Sequence, residues 1–226
     1  MKNKILSPYD WFLIIGIIAL NIAYSILSDD LDPLGSITAI TGVLCVVLVA
    51  KGSIWNYLFG LVNVSLYAYI SFVASAYGDA ALNALYYFPM QFIGYFAWKK
   101  RVSDKQVKAR RLSFRQRSLI AALCIALTLA LGFILKGYGD GQPFKDSATT
   151  VLSIVAQALM AMAFMEQWVL WILTNVISVV MWCAFAFDGV PHATVMVIMW
   201  VFYLLNSING LRVWLKLSQE GSTKAD

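Results

Sequence analysis

The stretch from Trp168 to Trp182 reads WVLWILTNVISVVMW, and the rest of the chain is interpreted from it. Steps of three or four residues separate Trp168, Trp171, Asn175, Ser178 and Trp182, so one stripe of a helix carries them all. The remaining residues are mainly Val, Ile and Leu, and none is charged. An amide in hydrocarbon is costly unless a polar group faces it. We therefore predict a membrane helix whose polar stripe lines a binding cavity.

The same stripe has a second interpretation. Tryptophans also pack helices together and anchor them at membrane interfaces, and Asn175 is able to hydrogen-bond a neighbouring helix without any ligand. The stripe by itself leaves both interpretations open.

The composition is that of an integral membrane protein. Of 226 residues, 61% are hydrophobic and 13% are charged, and the mean hydropathy is +0.74. Cys45, Cys124 and Cys183 lie in apolar runs without paired spacing, so they predict neither disulfides nor a zinc site. His192 is the single histidine. We expect no metal site and no cofactor.

Eight apolar runs are long enough to cross a membrane, if the shorter runs let their flanking residues reach the interface. Charged and turn-forming residues separate them. The predicted helices are 10–28, 34–50, 53–76, 80–99, 118–136, 147–165, 168–187 and 191–215.

The distribution of charge predicts the orientation. With both termini in the cytoplasm, 15 of the 17 Lys and Arg residues lie on the cytoplasmic side, and Lys136 and Lys145 are the exceptions. Seven aspartates lie on the opposite side, from Asp29 to Asp188. The basic loop at 99–117 follows the same bias, so it is interpreted as a determinant of topology that contacts lipid headgroups and not as a nucleic-acid site.

The chain contains an internal repeat. SIWNYLFGLVNVSLYAYISF (53–72) matches EQWVLWILTNVISVVMWCAF (166–185), with Asn63 and Asn175 112 positions apart. The next helix of each half ends on Gly and Trp, at Trp98 and Trp214. Two helix triplets joined by one linker helix enter the membrane from the same side, so the repeats are parallel. The predicted divisions are an additional N-terminal helix (1–33), a first triplet (34–100), a basic loop and linker helix (101–145), a second triplet (146–216) and a tail (217–226).

Polar residues of both halves fall on matching helix faces, which favours a central cavity. Amides suit hydroxyl and carboxamide groups, and indole faces suit flat or cationic rings. We find no buried Arg or Lys to meet a phosphate, no mid-membrane carboxylate for proton coupling, and no set of catalytic groups. The candidate binding residues are Asn63, Tyr67, Gln91, Gln157, Trp168, Asn175, Trp182, Tyr203, Asn206 and Asn209.

Several strings resemble the PnuC family of bacterial vitamin B3 transporters: GLVNVSLY (60–67), GYFAW (94–98), DSATTVLSIVAQ (146–157), WVLWILTNVISVV (168–180) and NGLRVW (209–214). The resemblance covers residues 34–215 and implies uptake of nicotinamide riboside by facilitated diffusion across the inner membrane. It also implies a SWEET-like three-plus-one-plus-three fold, a homotrimer, and trapping of the substrate by a cytosolic nicotinamide riboside kinase.

The functional alternatives at this point belong to three classes. The leading hypothesis is a uniporter in which Trp168 or Trp182 stacks on the pyridinium while Asn63, Gln91 and Asn175 bind the carboxamide and ribose. Relatives of this family also carry thiamine, riboflavin or deoxynucleosides, so another vitamin or nucleoside stays open. A structural or receptor-like membrane protein is the second class, and ion-coupled transport is the third.

Overall fold

The structure is a computed structural model that describes residues 6–28, 31–74, 77–103, 106–107, 109–137 and 143–222. Several charged residues used for the topology prediction lie outside these ranges: Lys2, Lys4, Asp29, Asp30, Lys105, Lys108, Asp140 and Lys224.

Eight helical stretches form the described part of the chain, because α4, a π-helical turn and α5 follow one another without a break. A minimal antiparallel pairing of β1 and β2 is the other regular structure in the described ranges. The elements are α1 (Pro8–Ser28), α2 (Pro33–Ala50), α3 (Asn56–Val73), α4 (Tyr77–Ala81), the π turn (Leu82–Tyr87), α5 (Phe88–Lys99), β1 (Val102–Ser103), β2 (Gln106–Val107), α6 (Phe114–Gly137), α7 (Pro143–Ala161), α8 (Gln167–Phe187) and α9 (Ala193–Ser222).

The helices are those of a multi-pass membrane protein. Six of the described helices are long and apolar enough to cross a bilayer: α1, α2, α3, α6, α8 and α9. In α7 the apolar part is shorter, at Ser147–Ala161. The stretch from α4 to α5 is interrupted by its π turn. The all-helical membrane class and the eight helices are thus confirmed, and six of the eight meet the length expected of a full span.

Several predicted boundaries were wrong by three residues or more, and the ends of α7 and α9 are examples. The helix predicted at 147–165 ends at Ala161, because Ala163 has a φ of 61° and the chain turns there towards α8. The helix predicted to end at residue 215 continues to Ser222. Its polar last turns show no period of apolar residues that would have placed its end.

The helices pack around a core that α1 completes on one side. Helix α2 contacts α1, α3 and α9, while α8 contacts α7 and α9. Leu13 and Ile17 of α1 are fully buried against α2 and α9, whereas Trp11 and Phe12 are exposed on its other side. Helix α1 therefore presents one face to the protein and one to lipid.

One end of the molecule joins helix ends that are far apart in sequence. The indole N–H of Trp98, at the end of α5, donates to the carbonyl of Met160 in α7 over 2.9 Å. The indole N–H of Trp214 in α9 donates to the carbonyls of Val49 and Ala50 at the end of α2, over 3.2 and 3.1 Å. We name this end, which also carries Lys51, the basic end.

The opposite end, named here the acidic end, joins the α1–α2 and α8–α9 connections. Asp32 caps α2 by accepting a hydrogen bond from the Gly35 amide, and its other oxygen lies 2.8 Å from Nδ1 of His192. His192 adopts the left-handed conformation, with a φ of 64°. His192 therefore contacts the carboxylate of Asp32 at this end of the molecule.

A buried ion pair ties α1 to the rest of the protein. The Nζ of Lys51 lies 2.6 Å from a carboxylate oxygen of Asp10, and the Asp10 side chain is completely buried. The hydroxyl of Ser7 also donates to that carboxylate. A buried carboxylate without its cation is strongly destabilising, so the position of α1 depends on Lys51.

We expect Lys51→Ala to destabilise the protein by about 3 kcal/mol, because it leaves the Asp10 carboxylate buried without its partner. The measurement is thermal unfolding of the purified protein in detergent. Lys100→Ala is the matched control, since Lys100 is also a helix C-cap residue but is exposed. Equal melting temperatures for the two variants would show that the pair does not hold α1.

Candidate functional site

A cavity of about 120 Å³ lies between the two halves of the chain. A single buried water needs roughly a tenth of that volume, so the chamber has room for several waters or for part of a small ligand. Its walls come from α2, α3, the stretch from α4 to α5, α7, α8 and α9. Helix α6 contributes no residue to the described lining.

Seven of the predicted binding residues line this one cavity, although they come from five different helices. These residues are Asn63, Tyr67, Gln91, Gln157, Trp168, Asn175 and Tyr203. The amides of the two repeats, Asn63 and Asn175, therefore face the same chamber.

Three neighbouring residues fix the side chain of Asn63 in the wall. Its amide nitrogen donates to the carbonyl of Thr38 over 2.9 Å and lies 3.8 Å from the sulfur of Met199. Its amide oxygen accepts a 3.3 Å hydrogen bond from the hydroxyl of Tyr203. Gly42 leaves the space for this arrangement, since a Cβ there would lie 2.0 Å from the Tyr203 hydroxyl.

Asn175 satisfies both interpretations of the tryptophan stripe. Its amide nitrogen donates to the hydroxyl of Ser207 on the adjacent helix α9 over 2.7 Å. The same side chain lines the cavity together with Trp168 and Trp171. Interhelical bonding and a place in the cavity wall are thus compatible, because the bond to Ser207 uses one hydrogen of an amide that has a second hydrogen and an acceptor oxygen.

Tyr67 is the centre of the most connected polar group in the wall. Its hydroxyl oxygen accepts hydrogen bonds from the indole N–H groups of Trp182 and Trp200, over 2.7 and 3.2 Å. The hydroxyl in turn lies 3.1 Å from Oδ2 of Asp79. Both indoles also meet the Tyr67 ring edge-on, with centroids 5.8 and 6.0 Å away.

Three predicted binding residues lie outside the described lining. Trp182 is completely buried behind Tyr67 and takes part in the wall only through it. Asn206 is buried against α2, where its amide donates to the carbonyl of Val46 over 2.8 Å. Asn209 is half-buried on α9. None of these three residues therefore faces the described cavity.

The wall also contains residues that were not on the list of candidates. Asp79 is the important one, because no carboxylate was expected in the wall of the cavity, and Asp79 corrects this. Asn83 and Tyr87 enter the wall from the π turn, and Trp171 and Trp200 add indole surface. The helical stripes contain Asn83, Tyr87, Trp171 and Trp200, whereas nothing in the sequence pattern singles out Asp79.

Polar atoms without a protein partner mark where an occupant would bind. Oε1 of Gln91, Oγ1 of Thr174 and Nε1 of Trp168 are buried and have no hydrogen-bond partner among the described residues. All three residues line the cavity. Buried polar groups are nearly always satisfied, so water or a ligand is needed to complete this wall.

Comparisons with known proteins agree with a membrane protein that binds a small molecule in this cavity. The family model for nicotinamide mononucleotide transporters matches residues 32–216. The chain belongs to this family. It is therefore a membrane transporter, which agrees with the prediction that it is not an enzyme.

Solved and curated relatives resemble most of the chain. It is 41% identical over 195 residues to the nicotinamide riboside transporter PnuC of Neisseria mucosa, covering 84% of this chain and 74% of the relative. It is 34% identical over 188 residues to PnuC of Haemophilus influenzae, covering 81% and 80%. A crystal structure of the vitamin B3 transporter PnuC superposes with a TM-score of 0.84 at 36% identity, covering 95% of this chain and 94% of the other.

Gly210→Ala tests whether this transporter depends on the position of Trp168. A Cβ at residue 210 would lie 2.6 Å from three atoms of the rigid Trp168 ring, so the ring has to leave its place in the wall. We expect uptake of nicotinamide riboside, the substrate named for the relatives, to fall about tenfold or more, which corresponds to the loss of one well-placed contact. Gly137→Ala is the control, because nothing lies within 4 Å of its Cβ. Wild-type uptake by the Gly210 variant would contradict the assignment.

Proposed function

We propose that this transporter imports nicotinamide riboside by facilitated diffusion. The observation that carries the proposal is the wall of the cavity, where amide and hydroxyl groups alternate with six aromatic rings. The amides of Asn63, Gln91 and Asn175 suit ribose hydroxyls and a carboxamide, because an amide group has both donor and acceptor atoms and Oε1 of Gln91 has no partner among the described residues. The indoles of Trp168 and Trp171 offer flat faces for the pyridinium ring.

The wall favours the riboside over its phosphorylated form. A phosphate needs cationic or several N–H partners in a membrane cavity. No Lys, Arg or His lines the described cavity. The same reasoning disfavours other phosphate esters as substrates, and it agrees with the riboside named for the curated relatives.

We further propose the predicted three-plus-one-plus-three, SWEET-like arrangement of two parallel triplets, with the divisions at 1–33, 34–100, 101–145, 146–216 and 217–226. The matching turns between the first and second helix of each triplet support it. Gly52 and Ala163 have φ values of 65° and 61°, and the amide of the following residue bonds a carbonyl over 2.9 Å in each turn. The crossed bonds of Trp98 and Trp214 support it as well, since each connects one triplet to the other.

The orientation, location and assembly are proposals of the same kind. The basic end is assigned to the cytoplasm, with both termini on that side of the bacterial inner membrane, because Lys and Arg residues concentrate there. A homotrimer is proposed from the family resemblance. Helix α6 supports it, because only 11% of an apolar 18-residue stretch of this helix is buried within one chain. The rest leaves apolar surface for other copies as well as for lipid.

Trp171→Ala tests the proposed binding wall in proteoliposomes that take up labelled nicotinamide riboside. Trp171 is half-buried and lies 6.2 Å from the Tyr87 ring, so its loss removes aromatic surface from the wall. We expect a roughly tenfold loss of uptake, the size of a lost stacking contact. Trp11→Ala is the matched control, since Trp11 is 51% exposed on α1. Thiamine and riboflavin serve as competitors, and stronger competition by either than by unlabelled riboside would change the substrate assignment.

A uniporter equilibrates its substrate and cannot accumulate it. We therefore expect the internal concentration in proteoliposomes to stop at the external one, whatever proton or sodium gradient is imposed. Enclosed nicotinamide riboside kinase with ATP is expected to raise the retained label above that limit, because the phosphorylated product finds no cationic partner in the wall. Accumulation of unmodified substrate driven by an ion gradient would replace uniport with coupled transport.

A further inference from the structure

Thr174 of α8 carries a buried hydroxyl group that no described residue satisfies. The residue is only 3% exposed, and its Oγ1 has no hydrogen-bond partner among the described residues. The same residue lines the cavity. Buried hydroxyl groups are nearly always hydrogen-bonded, so an occupant of the cavity has to provide the missing partner.

Other hydroxyl groups in the helices of this protein need no occupant. A Thr or Ser side chain within a helix often donates to the carbonyl four residues earlier. Thr38, Thr41 and Ser65 each make this bond over 2.7 Å. Thr174 does not make it, although the carbonyl of Leu170 has the same position relative to it. The Thr174 hydroxyl is therefore left for a group outside its own helix.

The position of Thr174 on α8 places it on the inner side of the helix. Leu173 and Val176 are 49% and 46% exposed and belong to the outer side. Thr174 and Asn175, which lie between them in sequence, are buried and line the cavity. Asn175 donates to Ser207 of α9, so the contact between the two helices uses the amide and not the adjacent hydroxyl.

The three unpartnered atoms of the wall differ in what they can bind. Oε1 of Gln91 accepts only, and its orientation is fixed because the amide nitrogen donates to the carbonyl of Tyr87 over 3.1 Å. Nε1 of Trp168 donates only. A carboxamide has the N–H donor and the acceptor oxygen that these two atoms need. The Thr174 hydroxyl both donates and accepts, and its natural match is another hydroxyl group.

We propose that Thr174 is a specificity-determining residue that hydrogen-bonds one hydroxyl group of the ribose, so that the transporter rejects the analogue that lacks this group. The inference rests on the proposed function, because it takes nicotinamide riboside as the occupant. A site built to bind a substrate hydroxyl discriminates against the deoxy analogue, since the buried protein group is then left unsatisfied. An apolar side chain of the same shape at residue 174 removes both the contact and the discrimination.

The test compares nicotinamide riboside with its 2′-deoxy, 3′-deoxy and 5′-deoxy analogues. Dissociation constants for all four are measured by calorimetry on the purified full-length protein. We expect the wild type to bind at least one analogue about tenfold more weakly than the riboside, the size of one lost hydrogen bond to a buried group. Thr174→Val is expected to weaken binding of the riboside by a similar factor and to leave the affinity for that one analogue unchanged.

Thr41→Val is the matched control. It removes a hydroxyl from a half-buried residue of α2 that lies outside the described lining and whose hydroxyl already bonds the Ile37 carbonyl. It should leave all four constants unchanged. Thr174→Ser keeps the hydroxyl and should keep the discrimination. The ratio of two constants does not depend on the fraction of folded protein, so partial misfolding of a variant leaves the result readable.

The possible results separate this inference from the proposed function. If the wild type does not bind the riboside, the proposed function fails and this inference fails with it. If the wild type binds the riboside and all three analogues equally, or if Thr174→Val weakens all four equally or none, the proposed function stands and the Thr174 hydroxyl is satisfied by water only. A loss that spares one deoxy analogue establishes Thr174 as the residue that recognises the missing hydroxyl.

Discussion

The hydrogen bonds that Trp98 and Trp214 donate to helix-end carbonyls are the interactions on which the rest of the structure depends. The last carbonyls of a helix have no partner within it, and at membrane depth water is not freely available to provide one. Trp98 provides one for the end of α7 and Trp214 provides one for the end of α2. Because each tryptophan donates to a helix in the other half of the chain, the two halves are joined at the basic end.

The same tryptophans form a buried aromatic cluster next to the cavity. Trp98 and Trp214 are completely buried, with ring centroids 6.0 Å apart, and Trp168 lies 6.2 Å from Trp214. Trp168 thereby belongs both to this aromatic cluster and to the cavity wall. Glycine makes the contact possible, since Gly210 packs directly beneath the Trp168 ring. Trp168 therefore connects the wall of the cavity to the aromatic cluster at the basic end.

Much of the fold and part of the site are predictable from the sequence, for reasons that particular residues illustrate. Long apolar runs predict helices, because in a membrane only helices and closed barrels satisfy the hydrogen bonds of the backbone. Helical spacing placed Trp168 and Asn175 on one wall, and the repeat added Asn63. Trp182 continues the stripe but lies outside the described lining. It is 14 residues beyond Trp168, about 21 Å along the helix, where its indole N–H donates to the Tyr67 hydroxyl. Asn206 also lies outside the lining, because a helix turns by about 100° per residue, so Ser207 faces the cavity and Asn206 faces α2.

Asp79 shows the limit of such reasoning and also why the cavity is not symmetric. Its position at the start of a helix predicts contact with solvent, but the π turn that follows changes the helical register, and no periodicity of 3.6 residues anticipates that change. The repeat relates Trp98 to Trp214, 116 positions apart, and the same offset takes Asp79 to Val195, which is completely buried and apolar. The two halves therefore contribute similar amide and aromatic groups to the wall, but within the described lining the carboxylate comes from the first half. The chamber is thus chemically asymmetric, although the two halves of the sequence match in their amide and tryptophan positions.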